Sequence, residues 1–102
     1  MSALARIVSA VQHWSPMSQL QRGVEQGTWL MFDRSKRIAI LRVVPIRGTG
    51  RSLIRSVTYN SDPAQRQLIG YFPNDGVGLK LAAVVTWQEW MRATGPPRSN
   101  RK

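Results

Sequence analysis

Between Arg37 and Ile46 the chain carries apolar residues on both parities of an extended strand, with Ile38, Ile40 and Val44 on one face and Ala39, Leu41 and Val43 on the other. A strand with one solvated face alternates apolar and polar residues; a run that does not alternate needs cover on both sides. This constrains the fold more than any other stretch. Either elements at the two ends of the chain pack on opposite faces of a sheet, or one face is a surface for a partner or a second copy.

The neighbouring segments supply the rest of that sheet. Thr28 to Phe32 reads as a strand, and Asp33, Arg34, Ser35 and Lys36 form a polar turn of hairpin length before the run that ends at Ile46. Pro45 has no amide proton to give to a ladder, so it belongs at a strand end, a bulge or an edge. Gly48, Thr49 and Gly50 connect to a third strand, Arg51 to Asn60. Asn60, Ser61, Asp62 and Pro63 punctuate again before a fourth, Gln65 to Phe72, where Leu68, Gly70 and Phe72 stand against Ile69 and Tyr71. Four strands with short links predict an antiparallel meander.

Helical spacing flanks it. Leu4, Ile7, Val8, Val11 and Trp14 recur at helical intervals and predict an amphipathic helix over Ala3 to Trp14. Ser15 and Pro16 stop it and start a short second helix, Pro16 to Arg22 or on to Gln26, in which Met17, Leu20 and Val24 are the apolar residues. After Pro73, Asn74, Asp75 and Gly76, the span Val77 to Thr94 reads as the longest helix, ended by Gly95, Pro96 and Pro97. Its projection groups Leu79, Ala83, Val84, Trp87, Trp90 and Met91 on the buried side, and Thr86, Glu89 and Arg92 on the other. Its tryptophans read as core. The prediction is an α+β fold in a single compact domain over residues 1–97, with a disordered basic tail over 98–102.

Composition removes several kinds of chemistry. The 102 residues include no cysteine and one histidine, His13, which excludes disulfides, thiolate nucleophiles and zinc sites built on sulfur. No two of the carboxylates Glu25, Asp33, Asp62, Asp75 and Glu89 lie within a helical turn of each other, so no acid/base pair or hard-metal site is announced. There is no P-loop, nucleophile elbow or dinucleotide fingerprint. Asp75-Gly76-Val77-Gly78 has the glycine content of an anion cradle but neither its spacing nor its Lys-Ser/Thr, and reads as a helix start. The chain is therefore expected not to be an enzyme and to hold no cofactor or metal. Lys80 interrupts the longest apolar stretch, Leu79 to Val85, which is too short to span a bilayer. Arg6 interrupts the apolar N-terminal run, against a secretory signal. A cytoplasmic protein that does not enter membranes is expected.

The unusual property is charge. Fifteen Lys and Arg against five Asp and Glu give a net charge of +10, and twelve of the cations are arginine, whose planar fork suits phosphate. Self-repulsion at this charge is relieved by a polyanionic partner. Arg34, Lys36 and Arg37 gather at the first hairpin, Arg47 and Arg51 flank the Gly48 to Gly50 loop, and Arg55 and Arg66 fall on later strands. These seven residues are the candidate nucleic-acid-binding set. Arg51, Arg55 and Tyr59 share parity on the third strand, but so do Leu53 and Val57, and hydrophobic patterning turns Leu53, Val57 and Tyr59 inward. A basic rim of loops and hairpin ends is then the expected interface.

The strand Gln67-Leu68-Ile69-Gly70-Tyr71-Phe72 before the last helix resembles, in topology, the final strand of integrase arm-binding domains, in which a three-stranded sheet precedes a helix. Such an analogy carries no function by itself. The expected activity is non-catalytic binding of DNA or RNA through arginine contacts to phosphate. The alternatives are an interaction module, an inhibitor or assembly factor docking on an acidic protein surface, and a structural component of a nucleoprotein or virion assembly. Self-association as a homo-oligomer is compatible with each.

Overall fold

The computed structural model describes residues 15–94, which form a five-stranded antiparallel sheet with one long helix on it. The strands are β1 (Leu20–Arg22), β2 (Thr28–Asp33), β3 (Lys36–Ile46), β4 (Arg51–Thr58) and β5 (Leu68–Pro73), and the helix is α1 (Gly76–Thr94). They lie in sequence order, β1-β2-β3-β4-β5. The α+β class and the meander are as expected. β3, two-sided in its apolar pattern, is the middle strand, and Pro45 is its penultimate residue.

The sheet has one more strand than expected. The short helix predicted from Pro16 is a single 3-10 turn, Pro16–Gln19, and the chain then extends into β1. Ser15 takes the N-cap position with Pro16 inside the first turn, but its side chain makes no cap hydrogen bond. Met17, Leu20 and Val24 make too thin a stripe to hold a helix, whereas Leu20 gains a ladder partner in Met31 and the Gln19 side chain donates to the Phe32 carbonyl at 2.9 Å. The predicted helix Ala3 to Trp14 and the predicted tail lie outside the described residues. Smaller shifts occur elsewhere: Pro63–Gln65 is a 3-10 turn capped by the Asp62 side chain, so the last strand begins at Leu68.

Register sorts the residues into two faces. Met31 pairs with Ala39, Trp29 with Leu41, Leu41 with Ser56 and Ile54 with Phe72, and this set faces α1. Met31, Ala39, Leu41, Ile54 and Phe72 form the core with Ala82 and Ala83 of the helix. Burying a large side chain here contributes on the order of 1.5–3 kcal/mol. Irregularities in the β2–β3 and β4–β5 pairings leave Ile38 without a partner on β2 and Ile69 without one on β4, although the Ile38 carbonyl accepts from Tyr59 N–H at 2.9 Å on its other side. Ile38 joins the core, so the strict alternation expected of β3 is broken at its start.

Two expectations about this core are corrected. In β4 the residues that face α1 are Ile54 and Ser56, both fully buried, while of the opposite parity Val57 is buried and Leu53 and Tyr59 are only half-buried. In α1 the buried positions are Gly78, Ala82, Ala83 and Thr86, and Met91 is exposed. One contact explains both. Small side chains let the helix approach the sheet, and the two hydroxyls that this buries satisfy each other, Ser56 Oγ lying 2.6 Å from Thr86 Oγ1. The pair should couple in a double-mutant cycle. Ser56→Ala is expected to cost about 1–2 kcal/mol in urea unfolding, and adding Thr86→Val to cost less than that change does in the wild type, because no orphaned hydroxyl remains.

α1 starts where the sequence places it. Gly78 N–H donates to the Asp75 side chain at 2.6 Å and Leu79 N–H to the Asp75 carbonyl at 2.9 Å, so the glycine-rich segment is a capped helix start whose carboxylate already occupies the amide that an anion would use. No helix among the described residues is long and apolar enough to cross a membrane.

Candidate nucleic-acid interface

No helix among the described residues packs on the face of the sheet away from α1; the β4–β5 connection reaches its edge, where Val57 is buried beside Pro63 and Arg66. Along β3 it presents Arg37, Ile40, Arg42, Val44 and Ile46, and along β4 Arg51, Leu53, Arg55 and Val57, with Tyr59 just past the strand end. Both parities of β3 are apolar, as the sequence shows, yet only one is closed by the helix. The other keeps Ile40, Val44, Ile46 and Leu53 half-buried beneath arginines that stand out from the sheet.

At the middle of this face Arg42 and Arg55 are direct cross-strand partners. Like charges placed opposite one another destabilise a ladder by up to about 1 kcal/mol. Arg42 is partly compensated by Glu25 at 3.2 Å, both side chains being exposed. Arg55 has no such partner: the other ion pair among the described residues is Arg92 with Glu89 on α1. Arg42, Arg55 and Arg66 flank a groove of about 230 Å³ floored by Ile40 and Val57 and closed at one side by Pro63. It is an apolar-bottomed slot with a surplus of cations around it.

Toward one end, the Arg37 and Arg66 guanidinium groups lie over the Tyr59 ring at 4.9 and 5.1 Å from its centroid, and Arg37 also lies 5.9 Å from that of Phe32. Arg66 is held there by its Nε donating to the Asn60 carbonyl at 2.8 Å. Cation–π contact and this hydrogen bond orient the groups without neutralising them. Tyr71, the cross-strand neighbour of Arg55, is 52% exposed and gives the face a second tyrosine.

The seven predicted residues are thereby divided. Arg37, Arg51 and Arg55 share the open face, and Arg66 reaches it from the β4–β5 connection. Arg47 stands in the β3–β4 loop at the Arg51 end, where the Thr49 hydroxyl donates to the Ile46 carbonyl and accepts from Arg51 N–H. Arg34 is at the opposite end, at the tip of the β2–β3 hairpin, with φ 58°, a left-handed conformation that costs an arginine on the order of 1–2 kcal/mol. Lys36 turns to the helix side, its ammonium 5.2 Å from the Trp90 ring centroid, and Trp90 Nε1 donates to Asp33 at 2.8 Å. Arg37, Arg42, Arg51, Arg55 and Arg66 make a stripe along the sheet, with Arg34 and Arg47 in the turns at its two ends and Lys36 off it. Arg42, Phe32 and Tyr71 belong to the same face and were not among the expected residues. Arg42 had a legible signal, as the one charge inside the apolar run from Ile38 to Val44.

The Arg92 guanidinium hydrogen-bonds the Glu89 carboxylate, which holds that carboxyl below its usual range and raises the guanidinium. No group of three or more metal-ligating side chains occurs among the described residues, and His13 lies outside them. Comparison with known proteins returns no matching family model, no matching curated protein and no matching solved structure, so the functional reading stands on the geometry of this face.

Proposed function

We propose that the chain is a non-catalytic nucleic-acid binder that lays a single strand along the open face of its sheet. The observation that carries this reading is the opposed pair Arg42 and Arg55 over the apolar floor of Ile40 and Val57, with Arg66 beside it. Such a pair costs stability in the free protein and recovers it when a phosphate enters between the guanidinium groups. The stripe has the length a strand needs: the 11 residues of β3 extend roughly 36 Å at about 3.3 Å per residue. Tyr71, 52% exposed among the arginines, favours unpaired bases, which can stack on its ring, over a duplex whose bases are closed.

Fluorescence anisotropy of labelled single- and double-stranded oligonucleotides, taken through a salt series beside an acidic protein, tests the proposal. Submicromolar affinity for the single strand is expected at physiological salt. Log K should fall against log salt with a slope of about −4, the value for five or six neutralised phosphates at about 0.7 each. Preference for the acidic protein would overturn the proposal and assign the half-buried apolar floor and its arginines to a protein partner.

A further inference from the structure

On the helix side, at the end of the sheet where β3 begins and β4 ends, a cavity of about 380 Å³ opens between the last turns of α1 and the β4–β5 connection. Its volume is within the range of small-molecule sites, about 300–1,000 Å³. Arg37 and Tyr59 line it, and these are the residues that end the arginine stripe of the open face. The cavity mouth and the proposed strand path therefore meet at one edge of the molecule.

We infer that this cavity receives one unpaired base from the end of the bound strand. Ile38 and Ile69, each skipped by a pairing irregularity, give it an apolar lining, and the Tyr59 and Trp90 rings are among its walls. The Arg37 and Arg66 guanidinium groups lie over the first ring and the Lys36 ammonium over the second, so that a base enters between apolar side chains and cations. The exposed Gln65 and Gln67 lie at its margin, and amide side chains present the donor and acceptor that pair with a base edge. Lys36 and Arg37 set positive charge at the same mouth, where the phosphate of that nucleotide would lie. Apolar side chains, aromatic rings, amides and cations converge in one cavity, with the Glu89 carboxylate on its α1 side paired with Arg92, a combination that matches a nucleotide better than a purely apolar ligand or a bare anion. The inference rests on the reading of the open face as a strand-binding surface, and its test separates the two.

Equal-length strands ending in a normal base or in an abasic residue, at the 5′ or the 3′ end, are compared by anisotropy. Loss of the terminal base at one of the two ends is expected to weaken binding about tenfold, the scale of one stacked base. Gln67→Trp places a bulky side chain over the mouth from an exposed position, so folding is retained. This variant should bind intact and abasic strands alike, with the affinity that the wild type has for the abasic strand. Equal affinities in the wild type, or discrimination that survives Gln67→Trp, would overturn the inference. As a second probe, adenosine 5′-monophosphate should shift the Trp90 indole N–H resonance where inorganic phosphate does not, and Gln67→Trp should abolish that shift. If no oligonucleotide binds but the mononucleotide does so in this way, the cavity stands as a nucleotide site and the strand reading falls. Mononucleotide and phosphate acting alike would remove the cavity and leave the open face unaffected.

Discussion

Replacing Arg37, Arg42 and Arg55 together by glutamine is expected to weaken single-strand binding at least tenfold at about 0.15 M salt, and to flatten the log K against log salt slope by about 2, at about 0.7 per phosphate contact. All three side chains are exposed, and none takes part in the core. Stability should therefore stay within about 0.5 kcal/mol of the wild type, or rise, because the Arg42–Arg55 opposition is removed. Lys80→Gln is the matching control. Lys80 is exposed on α1, on the other side of the sheet, and its loss should leave the slope within a few tenths. If affinity and thermal midpoint fall together in the triple variant, the arginines hold the fold and the binding proposal fails.

Gly78→Ala is expected to destabilise the protein by about 3 kcal/mol, at the upper end of the usual cost of overpacking. A Cβ at this position would overlap the Pro73 carbonyl oxygen and fall 2.6 Å from its carbon, so the obstruction is main chain and cannot rotate aside. The helix start would have to leave β5, and the Asp75 cap on the Gly78 amide would go with it. Against a total stability of about 5–15 kcal/mol this is a large fraction. Gly76→Ala, two residues earlier with nothing within 4 Å of the added carbon, should be neutral or stabilising, since alanine favours helix over glycine by about 1 kcal/mol. Opposite signs at two glycines of one helix turn, read by urea unfolding, isolate the close approach from helix propensity. Equal effects at both would show that the helix start does not rest against β5.

What could be read from residue order alone follows from which interactions are local. The Asp33 to Lys36 hairpin, the helix start at Asp75 and Gly76 and the two-sided apolar pattern of β3 depend on neighbours in sequence, and the fold places them as expected. β1 was hidden because its three residues are held by pairing with β2, a tertiary interaction without local periodicity. The orientation of β4 was misread for a related reason. Leu53, Val57 and Tyr59 are the more hydrophobic set, but the helix closes on Ser56 because a small hydroxyl admits it and Thr86, thirty residues later, satisfies that hydroxyl. With β4 in this orientation, Arg51 and Arg55 stand on the open face beside Arg42. Arg66 joins through a hydrogen bond to Asn60 in a loop with no pattern of its own.

The alternation of core and arginine residues along the same two strands also bears on how the chain finds its pairing. Sliding β3 or β4 by one residue would exchange its faces, driving Arg42 or Arg55 beneath α1 and setting Leu41 or Ile54 in water. Burying a guanidinium without a partner costs several kcal/mol, more than any mispaired ladder returns. The positive charges of the open face thus act as proofreading marks for the meander: each rejects every alignment that would turn its strand over, the one-residue slip first among them. Glutamine, still polar, preserves that discrimination, whereas leucine at the same positions would erase it and let shifted sheets and their exposed edges compete with the native one.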